Sequence, residues 1–436
     1  KIKLNNSPIC MLKKYNYFKF NIRSHSYTGF YKLLDEGYRI CNYLKCKKII
    51  CFPLINNHRG HKIKFIFGKK MMISIFKSLS TSEKILSFTY SLILNFNLIL
   101  KKFKIVGLLN LFFGRKLITK IFPLHFGYNE DEEYFKADKE EWLKINADRK
   151  YFDVEIKDIN FSKRHSDFLK KKFVCLHIKD ENYNQINKIS NYSISDIHNH
   201  KEAINFFLDN NFNIIRIGDY LSKRFQFKDK GFLDLTNDYK LSHLTQAYIF
   251  QNCEFFFGNI TPGIYMGRLF YKKFALSNCP HEDLLYNSFS NSKDNVAIFK
   301  SIYCVKKKRL LTIPEIFENE QLLFTIHLDK KRFIAIENSP TEILELSKIF
   351  FNKNFLGLSE KNELFDEFDT MRKKTLDKLM INKTLIQNRR TNTRLFFCKQ
   401  NYYSKIHIPD KYLRENLVLS EALKEKSKKI TRDLSL

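Results

Sequence analysis

Four short apolar runs in this chain end in residues that can hold an anion. "KFVCLHI" (172–178) carries His177 and leads into Lys179 and Asp180. "FNIIRIGD" (212–219) carries Arg216, then Gly218 and Asp219. "CEFFFGN" (253–259) ends in Gly258 and Asn259, with Thr261, Pro262 and Gly263 next. "KFALSN" (273–278) ends in Asn278. The cations can neutralise charge, and glycines let a backbone come close. A helix opening after Thr261-Pro262-Gly263 would offer free N–H groups to an anion. Together these groups have the chemistry of a site for a phosphate-bearing ligand. Taken singly they read otherwise. His177 on an apolar strand also fits a satisfied core residue, and Arg216 fits an ion pair with Asp219 or Asp180.

These residues gain meaning from the elements between them. "HKEAINFFLDNN" (200–211) places Ala203, Ile204, Phe207 and Leu208 at the spacing of an amphipathic helix. "HLTQAYIFQN" (243–252) and "GIYMGRLF" (263–270) read as further helices. Strands alternating with helices predict a parallel sheet covered on both faces. Ligands of such sheets bind at the carboxyl ends of the strands, where the candidate residues fall.

The 436 residues are too many for one ordinary domain and suit two. The first 160 or so are mixed in character. Helices are expected near 28–38 and 70–100, a strand at 48–54, and an acidic helical segment at 129–146. The boundary is placed near "FSKRHSDFLKKK" (161–172), within about ten residues. The expected division is an N-terminal α/β domain over 1–160, a Rossmann-like domain over 161–355, and a helical segment over 356–436 that packs back on the domains.

The formal net charge is +30, from 76 Lys and Arg against 46 Asp and Glu. An AT-rich coding bias accounts for much of this, since Lys, Asn, Ile and Phe are abundant while the chain holds 13 Gly, 8 Pro and 1 Trp. The basic residues are spread out, and neither a helix-turn-helix nor a zinc finger is visible, which argues against nucleic acid as a partner. Nine cysteines without a paired framework suit a reducing compartment. Cys41, Cys46 and Cys51 precede His58 and His61, but the spacing lacks the tight pair a zinc site uses, so no metal is expected. No signal peptide is visible at the start. The most apolar stretch, Ile85–Leu100, contains Asn95 and Asn97 and is flanked by Lys84, Lys101 and Lys102. It reads as a core helix or as a helix docked on a membrane surface.

In combination, the motifs resemble a family of bacterial glycosyltransferases from surface-polysaccharide gene clusters, related in fold to the fucosyltransferase-like branch of the GT-B class. The family's H-x-R-D strand resembles "CLHIKD" (175–180), and its V-I-R-M-G-D resembles "IIRIGD" (214–219). Its F-F-I-G-T-S-S-G resembles "FFFGNITPG" (255–263), and its asparagine before proline resembles "SNCP" (277–280). "AIFKSIYCVKKKRLLTIPEIF" (297–317), "AIENSPTEILEL" (335–346) and "KIHIPDKYLREN" (405–416) are similar to later family segments. The resemblance spans roughly 160–420 and does not extend to the first 150 residues. Lys179 stands where the family has arginine, which keeps the charge but loses the two-pronged grip on a phosphate. Thr261-Pro262-Gly263 replaces the S-S-G turn. Ser193 and Ile194 stand before Asp196 where the family tends to have Arg-Asn.

The resemblance implies a GT-B-like α/β fold of two Rossmann-like domains with a cleft between them. It implies transfer of a sugar from a nucleotide-sugar to a glycan or lipid-linked glycan, with inversion and without a metal or other cofactor. No D-x-D triplet sits at a strand end, which also favours fixed cations over a metal. Arg216 and Asp219 are then the expected catalytic residues. Donor binding falls to His177, Lys179, Asp180, Gly218 and Asp234 from the first strands, and to Gly258, Asn259, Thr261, Gly263 and Asn278 from the later ones. Arg216, Lys179 and Thr261 are expected to face one cleft. The setting implied is cytoplasmic, with peripheral contact at the inner membrane face. Alternatives are a catalytically altered protein that binds a glycan or nucleotide-sugar, and a basic membrane-surface protein.

Overall fold

The computed structural model describes residues 17–22, 48–53, 156–180, 194–218, 222–236, 241–281 except 242 and 262, 292–358 except 324–328 and 330, 363–381 and 406–434. The helices expected at 28–38 and 70–100, the segment 129–146, Cys41, Cys46, His58, His61, Ser193, Asp219 and Pro262 lie outside these residues. The chain divides into two units, Lys1–Ile156 with Leu269–Tyr271, and Lys157–Arg268 with Lys272–Leu436. In the first unit, β1 (Tyr17–Ile22) and β2 (Lys48–Pro53) pair in parallel.

The second unit is built on six parallel strands. These are β3 (Phe173–His177), β4 (Asn213–Ile217), β5 (Phe232–Asp234), β6 (Phe255–Gly258), β7 (Lys273–Cys279) and β8 (Val296–Phe299). Their spatial order is β5-β4-β3-β6-β7-β8. The chain therefore lays three strands outward in one direction, returns to the middle, and lays three in the other. That is the Rossmann order, with its switch point between β3 and β6. The buried strands are apolar on both faces because both are covered.

The register shows which residues share a face. Leu176 stands opposite Arg216 on one side and Phe257 on the other, and Arg216 stands opposite Asp234. One face therefore carries Leu176, Arg216, Asp234, Phe255 and Phe257. The other carries Cys175, His177, Ile215 and Phe256. Helices α1 (Ile159–Arg164) and α2 (Ser166–Leu169) precede the sheet. The first face is covered by α3 (Lys201–Asp209), whose Phe207 meets Phe255 and Phe257 at 5.0 and 5.2 Å between ring centres. On the second face, α4 (His243–Asn252) stacks Phe250 on Phe256 at 5.9 Å, and α5 (Gly263–Leu269) follows the turn after β6.

Past β8 the chain forms an antiparallel sheet of β9 (Ser301–Cys304), β10 (Arg309–Leu310) and β11 (Phe333–Ile336), with β9 in the middle. Helices α6 (Ile313–Glu318) and α7 (Glu320–Leu323) lie between β10 and β11. Helix α8 (Pro340–Phe355) packs beside α3 on the first face of the large sheet, with Phe350 against Phe255 at 4.7 Å. Both α6 and α8 begin with a complete capping box, Thr312 with Glu315 and Ser339 with Glu342, and each has proline in its first turn.

Three last helices follow: α9 (Phe365–Ile381), α10 (Asp410–Asn416) and α11 (Glu421–Leu434). Leu423 and Ile430 of α11 pack on Tyr303 and Leu310 of the small sheet. Tyr412 of α10 donates its hydroxyl to the Phe299 carbonyl at 3.0 Å. Just before α10, His407 pairs with the outer edge of β8, and its carbonyl accepts the Ala297 amide at 3.0 Å.

Candidate functional site

At the switch point the ends of β3 and β6 are joined by side chains. Asn259 sits one residue past β6, and its Oδ1 accepts the Lys179 amide at 3.0 Å. Its Nδ2 donates to the Lys179 carbonyl at 3.2 Å. The Thr261 hydroxyl lies 2.9 Å from His177 Nδ1. The structure thus gathers His177, Lys179, Gly258, Asn259, Thr261 and Gly263 into one group.

The glycines have a definite task there. Gly258 has φ +146, and a Cβ on it would stand 2.2 Å from the His177 carbonyl oxygen. A Cβ on Gly263 would stand 2.6 Å from Phe250 Cζ and 2.9 Å from His177 Nδ1. Both glycines allow the turn after β6 to close on β3. The close approach is between two parts of the protein, whereas the sequence suggested an approach to ligand.

His177 is only partly covered, yet burial, then the charges of Arg216 and Lys179, lower its pKa to about 4. Its ring is neutral at pH 7, so it can share a hydrogen bond with Thr261 but carries no charge toward an anion.

Arg216 belongs to a second group, on the opposite face. It is fully buried. Nη1 donates to Asp234 Oδ2 at 2.8 Å, and Nη2 donates to the Lys223 carbonyl at 2.9 Å. Asp180 Oδ2 lies 3.8 Å from Nη2 and accepts the Lys223 amide at 2.5 Å. The guanidinium also lies 6.0 Å from the centre of the Phe225 ring. Arg216 therefore ties the 222–225 segment and the end of β3 to β4 and β5. Its pairing with Asp234 follows from register, since the two stand opposite each other on neighbouring strands. Gly218 lies beside the same group, where a Cβ would stand 2.7 Å from Ser222 Oγ.

A third group lies along the ends of β7 and β8. Asn278 has φ +53, and its amide donates to Asn338 Oδ1 at 2.6 Å. The Asn338 amide donates to Asn278 Oδ1, also at 2.6 Å. The two asparagines clasp each other and join β7 to the loop before α8. Asn278 is thus a structural neighbour of β8 and is not gathered with His177 and Lys179.

Lys300, one residue past β8, was not a candidate from sequence. It is buried, and its Nζ donates to the Ile194 carbonyl at 2.5 Å. Glu337 lies 3.8 Å away. Burial lowers the Lys300 pKa to about 8, and Glu337 offsets part of that fall. The signal was present in "AIFKSIY", where a lysine interrupts an apolar run as Arg216 interrupts another.

The segment 194–200 spans these groups. The Ser195 amide donates to the Lys179 carbonyl at 2.8 Å, and the Asp196 amide donates to Glu337 Oε2 at 2.8 Å. His200 Nε2 lies 2.9 Å from Ser277 Oγ of β7. Lys223 Nζ lies 3.4 Å from Asp196 Oδ2. A polar layer therefore crosses the carboxyl edge of the sheet from β5 to β8. Lys223 and Asp196 remain about one-third exposed within it. Lys179 is partly exposed, while Asn259 and Thr261 are buried beneath it.

The sequence that follows β3 contains no glycine from Ile178 to His200. It therefore lacks the glycine fingerprint with which Rossmann domains cradle a dinucleotide. Among the described residues, no group of three or more His, Cys, Asp and Glu side chains could hold a metal ion. Among them also, no helix is long and apolar enough to cross a membrane. Comparison with protein-family models, with curated proteins and with solved structures gives no match.

Proposed function

We propose that the chain is a glycosyltransferase of GT-B-like architecture, drawing a sugar from a nucleotide-sugar bound at the carboxyl edge of the six-stranded sheet. The acceptor in this reading is a glycan or lipid-linked glycan of a surface polysaccharide, and the chemistry proceeds with inversion and without a metal. The carrying observation is the strand order, with its switch point between β3 and β6, where His177, Lys179, Asn259 and Thr261 converge. The resemblance of the strand-end motifs to the polysaccharide-cluster family supplies the reaction class.

In this reading Lys179 is the cation nearest the donor's diphosphate, and neutral His177 with Thr261 orients it. Lys223, about one-third exposed and 3.4 Å from Asp196, adds a second cation at the rim. Arg216 acts through other groups, because both its amino groups are hydrogen-bonded within the protein. It is a positioning residue for the 222–225 segment. In this reading the chain works in the cytoplasm, at the inner membrane face.

A thermal-shift series with GDP, UDP and CDP and their sugar conjugates tests the reading. One nucleotide class should raise the melting temperature, with roughly 2.7 kcal/mol of stabilisation at a hundredfold excess over Kd. Lys179→Ala and Thr261→Val should each abolish most of that shift while leaving the ligand-free melting temperature within about 2 °C. No shift with any nucleotide would overturn the proposal. A second reading, a binding protein without transfer, is favoured by the burial of Arg216, whose two amino groups both bond inside the protein. It predicts the same shift but no release of nucleoside diphosphate with any acceptor.

A further inference from the structure

The β9–β10 hairpin ends in the turn "VKKK", Val305 to Lys308, and all four residues are exposed. The turn is well fixed. Lys308 has φ +49 and its amide donates to the Val305 carbonyl at 3.3 Å. The Val305 amide in turn donates to the Arg332 carbonyl at 3.0 Å, which brings exposed Lys331 and Arg332 alongside. On the other side, the Thr431 hydroxyl donates to the Lys308 carbonyl at 3.3 Å, which brings up the last turns of α11 with Lys428 and Arg432.

The end of the small sheet thus collects cations from three separate stretches of chain. Some are answered locally: Lys307 pairs with Glu315 at 2.7 Å, and Lys428 pairs with Glu425 at 2.5 Å. Asp329 and Asp433 also lie in these stretches. The side chains of Lys306, Lys308 and Lys331 have no ion-pair or hydrogen-bond partner among the described residues. Two unanswered lysines on the hairpin turn and a third on the adjoining 329–332 segment concentrate positive charge at this end, which an anionic partner would neutralise.

Two exposed apolar side chains belong to the same stretches of chain. Val305 is 41% exposed and Leu434 is 46% exposed. Among the described residues no exposed aromatic ring accompanies them, and Phe333 is buried beneath the Arg332 guanidinium. Single-stranded nucleic acid needs rings on which bases can stack. A bilayer surface takes up short apolar side chains between headgroups while its phosphates meet the lysines.

We infer that the β9–β10 hairpin tip, with Lys331, Arg332 and the end of α11, docks on an anionic lipid surface. The three unanswered lysines supply the attraction, and Val305 enters the headgroup layer. This inference concerns a surface separate from the sheet edge and does not depend on sugar transfer.

Sedimentation of the full chain with vesicles tests it. The protein should sediment with phosphatidylcholine vesicles that contain phosphatidylglycerol and remain in solution with phosphatidylcholine alone. Each charge removed should weaken binding about fivefold, so the triple variant K306Q/K308Q/K331Q should lose roughly a hundredfold. Its melting temperature should be unchanged, because none of the three side chains holds a partner. Val305→Asp should also weaken vesicle binding. Equal sedimentation of the triple variant and the unaltered chain would overturn the inference. So would failure to bind anionic vesicles while a labelled RNA or DNA is bound and lost in the triple variant, the result that points to a nucleic acid. Nucleotide thermal shifts are read independently, so failure of the enzyme reading and failure of this one give different results.

Discussion

Arg216 illustrates what a single buried charge demands. A guanidinium with no exposed surface is tolerated only when its donors are matched. Asp234 and the Lys223 carbonyl accept from Nη1 and Nη2, and the Asp180 carboxylate lies 3.8 Å from Nη2, while Nε is left without a hydrogen-bond partner. Arg216→Ala would leave Asp180, itself only 2% exposed, beside a vacated space. We expect a loss of about 3–5 kcal/mol in unfolding free energy, measured by urea titration. A loss below about 1 kcal/mol would show that the network is dispensable. The need for a partner was legible in "IIRIG", because a cation interrupts an apolar strand. The partners were legible only in part: Asp180, which the sequence offered, lies 3.8 Å from Nη2. Asp219 is nearer in sequence than Asp234, but the residue that faces Arg216 across the strands is set by the register of β4 against β5, which no local pattern encodes.

At the scale of elements, boundaries follow from chemistry that can be read locally. Ser339-Pro340-Thr341-Glu342 spells a capping box, and α8 begins there, with the Ser339 amide donating to Glu342 Oε2 at 2.7 Å. Ser339→Ala should cost about 1 kcal/mol. A melting-temperature drop of about 2–4 °C would report it, and no drop would mean that packing alone sets the start of α8. The strands β3, β4, β6 and β7 were legible as apolar runs, and α3 as a helical spacing. Strand β5 was not, since three half-buried residues leave too little pattern. The small sheet was missed for a different reason. The run from Ala297 to Tyr303 continues from β8 into β9 with only Lys300 and Ser301 to mark the change of sheet.

At the scale of the molecule, the histidines among the described residues shape the response to mild acid. Burial lowers His177, His200 and His407 to about 4 and His281 to about 3. Unfolded, each would titrate near 6.5. Between those values the unfolded chain binds more protons than the folded one, so stability rises with pH and is lost on acidification. We expect unfolding free energy to fall steadily from about pH 6.5 to about pH 4.5, with uptake of roughly three or more protons on unfolding at pH 5. Flat stability across that window would contradict the buried, neutral state of these rings. Carboxylates such as Glu315, held well below its ordinary pKa by Arg309, respond only at lower pH. The Rossmann-like expectation came from the resemblance, and the alternation of elements predicted the large sheet's order only as far as "parallel". Its reversal between β3 and β6 depends on which strands pair, and alternation of helices and strands is the same for many orders.

The pairing of His407 with β8 sets a timetable for synthesis. Val296 leaves the ribosome about 110 residues before His407, which at ordinary elongation rates is on the order of ten seconds. Through that interval the outer edge of β8 has open amides and carbonyls, and a nascent chain with such an edge can recruit a neighbour on the same polysome. A slow codon stretch between these two points would lengthen the exposure and lower the yield of folded protein without changing a single residue.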